Sequence, residues 1–364
     1  MKAIIPTGGR GTRMRPLTFS TNKHFIPVAN KPLIFYPIET IADAGIKEVG
    51  ITYNPEGLDE AKSYLGDGSA WGLKITYILQ EKPAGLANIV EVCEEFVGGD
   101  SFVFHLGDNM FVDGIKEQVE YFQKEKPNGL VTMIHHKENR RMGVPYFNDE
   151  GRLIKYVEKP ENPPHDFAVP GVYFGDSNFY KCFKGPNRIK PSERGEYEIP
   201  TAFQWLIDNG FRVDVMEYKG KWLDPGKFDD WILANQYILE NKLKEVSSSK
   251  VDPSSKIEGK VSIGQDCMII NSKIVGPSVI GDNVTITDSQ VGPLTSVADG
   301  CEILGSAVSN SVLMKGVKLL NVKSHPVENS LIGTDSEVKG NPPAGGGRGA
   351  VTSLFVGEKC KIQL

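Results

Sequence analysis

Cysteine is scarce and scattered. The five in 364 residues, Cys93, Cys182, Cys267, Cys301 and Cys360, are odd in number, far apart and nowhere spaced as C-x-x-C. This excludes a disulfide framework, offers no zinc spacing and suits a reducing compartment. Long apolar runs are missing as well. Ala3-Ile4-Ile5 before Pro6 is too short for the h-region of a signal peptide, and no segment has the ~20 apolar residues that a membrane helix needs. A cytoplasmic protein with no membrane partner is therefore expected. Positive charge is not in excess either: 41 Lys and Arg face 46 Asp and Glu, a net charge of −5. Nothing in that balance would drive counterion release, so no nucleic-acid partner is expected.

One absence is local. No acid occurs before Glu39, yet Lys2, Arg10, Arg13, Arg15, Lys23 and Lys31 all precede it. The basic charge surrounds a short apolar run that empties into Thr7-Gly8-Gly9-Arg10-Gly11-Thr12-Arg13-Met14-Arg15-Pro16. Glycines let backbone N–H groups turn toward a phosphate, and arginines neutralise it, so this loop suits a polyphosphate. Two familiar phosphate loops do not fit. A P-loop requires Lys-Ser or Lys-Thr after the glycines, and the dinucleotide fingerprint requires a third glycine where Met14 stands.

The first 240 or so residues alternate short apolar runs with amphipathic stretches, the rhythm of a mostly parallel sheet covered on both faces. Strands are predicted over 3–5, 48–52, 74–78, 102–106 and 130–135, and helices over 33–44, 87–96 and 228–244. The loops after Ile5, Ile78 and Leu106 would share one crevice beyond the carboxyl ends of the strands. His105 and His135 fall on predicted strands, His136 follows the second, and all three read as packing residues. Ser247-Ser248-Ser249 and Asp252-Pro253-Ser254-Ser255 read as a linker.

Beyond it the period changes. Ile257, Ile263, Ile269 and Val275 recur every six residues. One inward aliphatic per six residues predicts a three-sided β-helix. A β-sandwich would show hairpin signals and stricter alternation instead. Residues 341–349 hold two prolines and four glycines and predict a mobile loop, with 351–364 returning as a strand.

Six ordered segments carry a resemblance: the glycine–arginine loop with Lys23 and Pro27-Val28; Gln80-Glu81-Lys82-Pro83-Ala84-Gly85; Leu106-Gly107-Asp108-Asn109; Glu158-Lys159-Pro160; Arg194-Gly195-Glu196-Tyr197-Glu198; and Trp222-Leu223-Asp224-Pro225-Gly226. Together they resemble the sugar-1-phosphate nucleotidyltransferases, and within them the long-form glucose-1-phosphate thymidylyltransferases. The resemblance implies a Rossmann-like α/β catalytic domain over 1–245 and a left-handed parallel β-helix over 251–364. It implies transfer of a nucleotidyl group from dTTP, or from UTP in a uridylyltransferase, to glucose 1-phosphate, with Mg²⁺ as cofactor. It also implies a homo-oligomer, trimer or tetramer, with the β-helix serving assembly rather than chemistry.

Residue roles follow from the same resemblance. Arg13 and Lys23 would be catalytic, gripping the triphosphate and bridging the reacting phosphates. Gly8, Gly9, Gly11 and Thr12 would contact phosphate, Gln80 and Gly85 the base, and Asp108 and Asn109 the nucleotide. Gly143, Glu158, Lys159, Val169 and Arg194 would bind the sugar phosphate, and Asp108 and Asp224 the metal. The attacking phosphate has a second pKa near ~6 and is already ionised at neutral pH, so no general base is required. This accounts for the lack of an evident catalytic His or Ser arrangement. Two other readings stay open. A hexapeptide-repeat acyltransferase needs a His base on a coil, and the only histidine after His165 is His325, outside the regular repeat. A non-catalytic regulatory homologue would have had no need to keep Arg13, Lys23, Asp108 and Asp224 together.

Overall fold

The computed structural model describes residues 1–9, 11–340 and 351–364. Arg10 and the loop predicted over 341–349 lie outside the described residues. By contacts the chain forms two compact units interleaved in sequence: Met1–Gly9 with Ile34–Leu223, and Arg10–Leu33 with Asp224–Leu364.

The first unit is the α/β layer. Its strands are β1 (Lys2–Pro6), β2 (Glu48–Tyr53), β3 (Lys74–Leu79), β4 (Phe102–His105) and β5 (Gly129–His135), all on predicted runs. Later come β6 (Gly143–Phe147), β7 (Leu153–Glu158), β8 (Phe167–Ala168), β9 (Val172–Gly175) and β10 (Val213–Glu217). The eight-stranded sheet has the order β8-β5-β9-β4-β1-β2-β3, with β10 also paired to β5. Strands β1 to β5 and β10 run one way; β8 and β9 run against them. The helices are α1 (Phe35–Asp43), α2 (Leu58–Leu65), α3 (Leu86–Val92), α4 (Lys116–Glu125) and α5 (Ile199–Asp208). The helix predicted over 87–96 divides at Cys93, whose backbone leaves the helical region before a last turn at Glu94–Val97. Strand β4 is buried throughout, and β1 in all but its first residue, which is why their sequences are continuous apolar runs. After β1 the chain crosses to β2 on one side, and β4 then returns to the other. The strand order therefore reverses beside β1, and the crevice beyond the carboxyl ends of β1 and β4 is the natural ligand position.

The second unit holds Arg10–Leu33, helix α6 (Phe228–Asn241) and a three-sided parallel β-helix. Successive short strands visit three sheets in turn, of five, six and six strands. Pairing joins Lys256 to Lys273 and Gln290 to Ala307, so a coil is 17 residues rather than 18. The inward residue after Ile257, Ile263 and Ile269 is accordingly Ile274, fully buried, and not Val275. The short step falls at a corner. There Asn271, Asp288 and Gly305 take positive φ (45°, 51° and 56°), and Ser272, Ser289 and Ser306 follow them in turn. Each serine hydroxyl accepts the N–H of its counterpart one coil on, Ser289 to Ser272 at 3.1 Å and Ser306 to Ser289 at 3.0 Å. The supposed linker pairs with this structure: Ser248 donates its N–H to the Ile263 carbonyl at 3.0 Å. Phe355–Val356 and Lys361–Gln363 return as strands, as expected. Among the described residues no helix is long and apolar enough to cross a membrane.

Candidate active site

In the first unit, β1 runs straight into the glycine turn. Thr7 continues the pairing with β2, donating its N–H (2.8 Å) and hydroxyl (2.9 Å) to the Thr52 carbonyl. Gly8 passes so close to Asn54, at the end of β2, that a Cβ there would lie 3.0 Å from Oδ1. At Gly9, φ is +129°, the backbone region that favours glycine.

At the end of β3, the Gln80 N–H holds the Tyr53 carbonyl at 2.9 Å. The buried Gln80 side chain donates to Asn88 Oδ1 at 3.0 Å, and Asn88 donates to Glu91 at 2.9 Å. Gly85 has φ +100°, and a Cβ there would lie 2.6 Å from the Tyr197 carbonyl and 2.7 Å from its nitrogen. Tyr197 donates its N–H to Ala84 (2.7 Å) and accepts that of Ala87 (2.9 Å). The candidate base loop and the Arg194–Glu198 segment are thus laced together. Within that segment Arg194 donates to Glu198 at 2.8 Å.

Beyond β4 the Asp108 carboxylate is oriented from behind. Asn109, buried, donates Nδ2 to Asp108 Oδ1 at 2.9 Å and accepts the Trp222 indole N–H at 2.8 Å. Trp222 and Leu223 pair antiparallel with Phe111 and Met110. Asp224 follows Leu223 directly, and Asp108 precedes Met110 by two residues.

The sugar-phosphate candidates are brought together by register. Gly143 on β6 lies opposite Glu158 on β7 and bridges Val169, which donates its N–H to the Gly143 carbonyl at 2.9 Å. Lys159, at φ +47°, sets its ammonium 3.1 Å from the Glu158 carboxylate. The sequence alone missed Tyr156. A Cβ on Gly143 would lie 2.5 Å from its phenolic oxygen, so the space a side chain would need at 143 belongs to Tyr156. Tyr156 and its hydrogen-bonded neighbour Tyr173 are buried beside Glu158, and both phenols are held above their ordinary pKa, by burial first, then for Tyr156 by Tyr173 and Glu158 and for Tyr173 by Glu158. No sequence signal marked them, because buried tyrosines on strands also read as core.

In the second unit, Gly11 (φ +52°) opens a tight turn at Thr12–Met14, with Thr12 and Arg13 exposed. The Thr18 hydroxyl donates to the Gly11 carbonyl at 2.7 Å. A Cβ on Gly11 would lie 3.4 Å from that of Lys23, so loop and lysine are packed together. Lys23 is buried and opens a turn capped by Asn22, whose Oδ1 accepts the His24 N–H at 3.0 Å and lies 2.7 Å from His24 Nδ1. Gly226 leaves room for Arg13: a Cβ there would lie 3.5 Å from its guanidinium. Arg13 therefore lies at the Asp224–Gly226 turn.

The histidines divide. His105 is fully buried with Nδ1 2.8 Å from the Leu106 carbonyl, and burial pushes its pKa down to about 4. His135, expected as a packing residue, is instead exposed at a strand end and bonded to Asp166 at 2.9 Å, because β5 leaves the core before its last residue. His136 is half-buried, edge-on to Trp222. All five cysteines are unpaired. Among the described residues no group of three or more His, Cys, Asp or Glu gathers in a metal-binding cluster. A carboxylate suits a hard cation that takes its other ligands from phosphate and water, and Asp108, braced by Asn109, has that chemistry.

A family model described as nucleotidyl transferase matches residues 2–241. The chain is 38% identical over 339 residues to the glucose-1-phosphate thymidylyltransferase of Streptomyces antibioticus, covering 93% of each chain. It is 34% identical over 340 residues to the low-salt glycan biosynthesis nucleotidyltransferase Agl11 of Haloferax volcanii, covering 93% of this chain and 94% of that one. A solved Bacillus anthracis structure, assigned as a glucose-1-phosphate thymidylyltransferase and bound to sucrose, superposes with a TM-score of 0.61 at 34% identity. It covers 68% of this chain and 98% of its own.

Proposed function

This chain belongs to the nucleotidyl transferase family, and from that premise we propose that it transfers a thymidylyl group from dTTP to glucose 1-phosphate, releasing pyrophosphate and forming dTDP-glucose. The observation that carries the reading is the similarity to a glucose-1-phosphate thymidylyltransferase along nearly the whole of both chains. In this reading residues 1–245 carry the chemistry. Residues 251–364 serve assembly of a homo-oligomer, a trimer or tetramer, in the cytoplasm.

A phosphate oxygen of the sugar substrate bonds to the α-phosphorus of dTTP while the bond to the bridging oxygen breaks, and pyrophosphate leaves with the electron pair. The nucleophile is already ionised, so the protein's task is to bring two anions together and stabilise charge on the α-phosphoryl group. Lys23 bridges the two reacting phosphates, and its burial raises the worth of its charge. Arg13 grips the triphosphate, and the peptides of Gly8, Gly9 and Gly11 and the Thr12 hydroxyl contact phosphate. Gln80, steadied by Asn88, and the backbone at Gly85 read the pyrimidine edge. Lys159 and Arg194 pair the sugar phosphate, Glu158 takes sugar hydroxyls, and Gly143 and Val169 line the ring. Asp108, aligned by Asn109, and Asp224 would hold Mg²⁺. That ion supplies charge neutralisation on the phosphates.

Pyrophosphate release with dTTP, UTP, ATP, CTP and GTP against several sugar 1-phosphates tests the reading. The highest kcat/KM is expected for dTTP with glucose 1-phosphate. A preference for UTP would make the protein a uridylyltransferase, and inertness with every pair would leave a regulatory homologue.

A further inference from the structure

We propose that one face of the β-helix belongs to the catalytic apparatus: through Asn235 and Ser296 it fixes the hairpin that follows Lys23, making both positioning residues for nucleotidyl transfer. The inference rests on the role given to Lys23 above, and it gives the β-helix a task beyond assembly.

The chain leaves Lys23 through a tight turn, the Ile26 N–H bonding back to the Lys23 carbonyl at 3.2 Å. Pro27–Val28 and Lys31–Pro32 then pair antiparallel, Val28 opposite Lys31, and the Leu33 N–H closes onto Ile26 at 3.1 Å. Two residues connect the strands. Ala29 has φ 48° and Asn30 φ 61°, the left-handed pair a two-residue hairpin demands. Asparagine adopts that region readily, whereas alanine resists it.

The contacts that hold this turn come from α6 and the β-helix. Asn235 on α6 is 1% exposed. Its Oδ1 accepts the Ala29 N–H at 2.9 Å and the Ser296 hydroxyl at 2.7 Å, while Nδ2 points to the Leu294 carbonyl at 3.4 Å. Asn30 Nδ2 donates to the Val297 carbonyl at 2.6 Å. One turn before Asn235 on the same helix face, the Trp231 indole donates to the Pro27 carbonyl at 2.8 Å. Ser296 is informative in itself. Val297 belongs to the β-helix core, so by strand alternation Ser296 points out of the coil, yet it is fully buried. An outward serine sealed from water, with its hydroxyl spent on a helix that also holds the hairpin, marks a constructed junction.

The same face of the β-helix meets the signature segment again in its last coil. Phe355 packs on Phe228 at the start of α6, with ring centroids 4.1 Å apart. A Cβ on Gly357 would lie 3.4 Å from Pro16, and Glu358 accepts the Thr21 hydroxyl. Thr295–Val297 and Phe355–Val356 lie in one sheet. Lys23 therefore stands between two anchored points in sequence, Pro16–Thr21, held by the turn that follows Phe355–Val356, and Ala29–Asn30, held by α6 and Val297. A bridge between two phosphates tolerates little displacement, since misplacement of about 1 Å can cost ~100-fold in rate.

Full-length Asn235→Leu, Asn235→Asp, Ser296→Ala, Asn30→Gly and Ser306→Ala are compared for kcat, KM and melting temperature, with pyrophosphate release from dTTP and glucose 1-phosphate as the assay. Asn235→Leu should lower kcat about 10-fold or more with the dTTP KM within about 2-fold, the signature of an interaction expressed in the transition state. Asn235→Asp keeps an oxygen for both donors and should recover most of kcat. Ser296→Ala should fall between them. Ser306 is equally buried, but the bonds of its hydroxyl stay within the β-helix: it donates to the Leu304 and Leu319 carbonyls and accepts the Val322 N–H. Ser306→Ala should lower the melting temperature and spare kcat. Should Asn235→Leu not fold, Asn30→Gly removes the Val297 bond while keeping the left-handed turn, and the same kcat loss is expected. Wild-type kcat in a folded Asn235→Leu or Asn30→Gly overturns the proposal, as does a loss no larger than that in Ser306→Ala at equal destabilisation. An inactive wild type would overturn the functional reading instead; an active wild type with unaffected variants overturns only this inference.

Discussion

Gly85→Ala is the substitution whose consequence the geometry specifies most fully. At φ +100° an alanine sits outside its comfortable backbone regions, at a cost of about 1–2 kcal/mol. Its methyl group would also stand 2.6 Å from the Tyr197 carbonyl oxygen and 2.7 Å from the Tyr197 nitrogen. Those are backbone atoms, so relief requires one strand of the pair to move. Moving it breaks the Tyr197–Ala84 or the Ala87–Tyr197 hydrogen bond, or both, at about 1 kcal/mol each. The total is about 3 kcal/mol, which for a unit of this size corresponds to a fall in melting temperature of roughly 6–12 °C. Gly99→Ala is the control, because nothing lies within 4 Å of its Cβ and its φ is ordinary. The Gly85 loop is laced to the segment carrying Arg194. Steady-state kinetics should therefore show the KM for glucose 1-phosphate rising together with that for dTTP. A Gly85→Ala protein with the melting temperature and both KM values of the wild type would refute the reasoning.

Further outcomes separate the residue roles. Lys23→Ala should lower kcat by about 2–3 orders of magnitude with little change in KM, whereas Arg13→Ala should also raise the dTTP KM; a Lys23→Ala effect confined to KM would reduce Lys23 to a binding residue. Asp108→Asn and Asp224→Asn should each cut kcat severely and raise the Mg²⁺ concentration for half-maximal rate, since an amide lacks the charge that holds a hard cation; near-normal turnover at limiting Mg²⁺ would remove that residue from the metal site. His105 is neutral in the folded state and titrates at its ordinary 6.5 once unfolded. Its contribution to stability is whole above pH 6.5 and is lost as pH falls toward about 4, by roughly 3 kcal/mol in all. A folded His105→Gln protein should show a flatter decline in melting temperature between pH 6.5 and 4, and an unchanged slope would contradict the assignment.

What was legible in the sequence was whatever repeats or stands at a strand end. Continuous apolar runs located β1, β2 and β4, because strands buried on both faces must be apolar throughout, whereas β3, also expected as a buried strand, is the sheet's edge and buries none of its residues. The glycine loop, Gln80 and Asp108 each followed such a run. The six-residue period announced the β-helix but put Val275 inward in place of Ile274. A corner made by a left-handed Asn271 and a hydroxyl-bonded Ser272 shortens one side, and aliphatic spacing carries no record of which. Tyr156 and Tyr173 were invisible for another reason. Their place beside Glu158 depends on the pairing of β6 with β7 and of β9 with β4, contacts between residues distant in the chain. Asn235 was silent likewise: a polar residue within a helix pattern gives no sign of what it bonds.

The interleaving of the two units has a consequence for how the protein is made. Arg10–Leu33 leaves the ribosome early, but the unit it joins is completed only by Asp224–Leu364. At ~5–20 residues per second, roughly 10–40 s pass between synthesis of Leu33 and the first residues of α6, and longer before the coil bearing Ser296 emerges. During that interval Ala29 has neither Asn235 nor the β-helix to hold its left-handed turn, and Trp231 is not there to bond Pro27. The earliest-made phosphate loop waits for the latest-made part of the chain, so in a nascent protein arrested before α6 the Pro27 carbonyl and the Ala29 N–H lack the Trp231 and Asn235 side chains that bond them in the finished molecule.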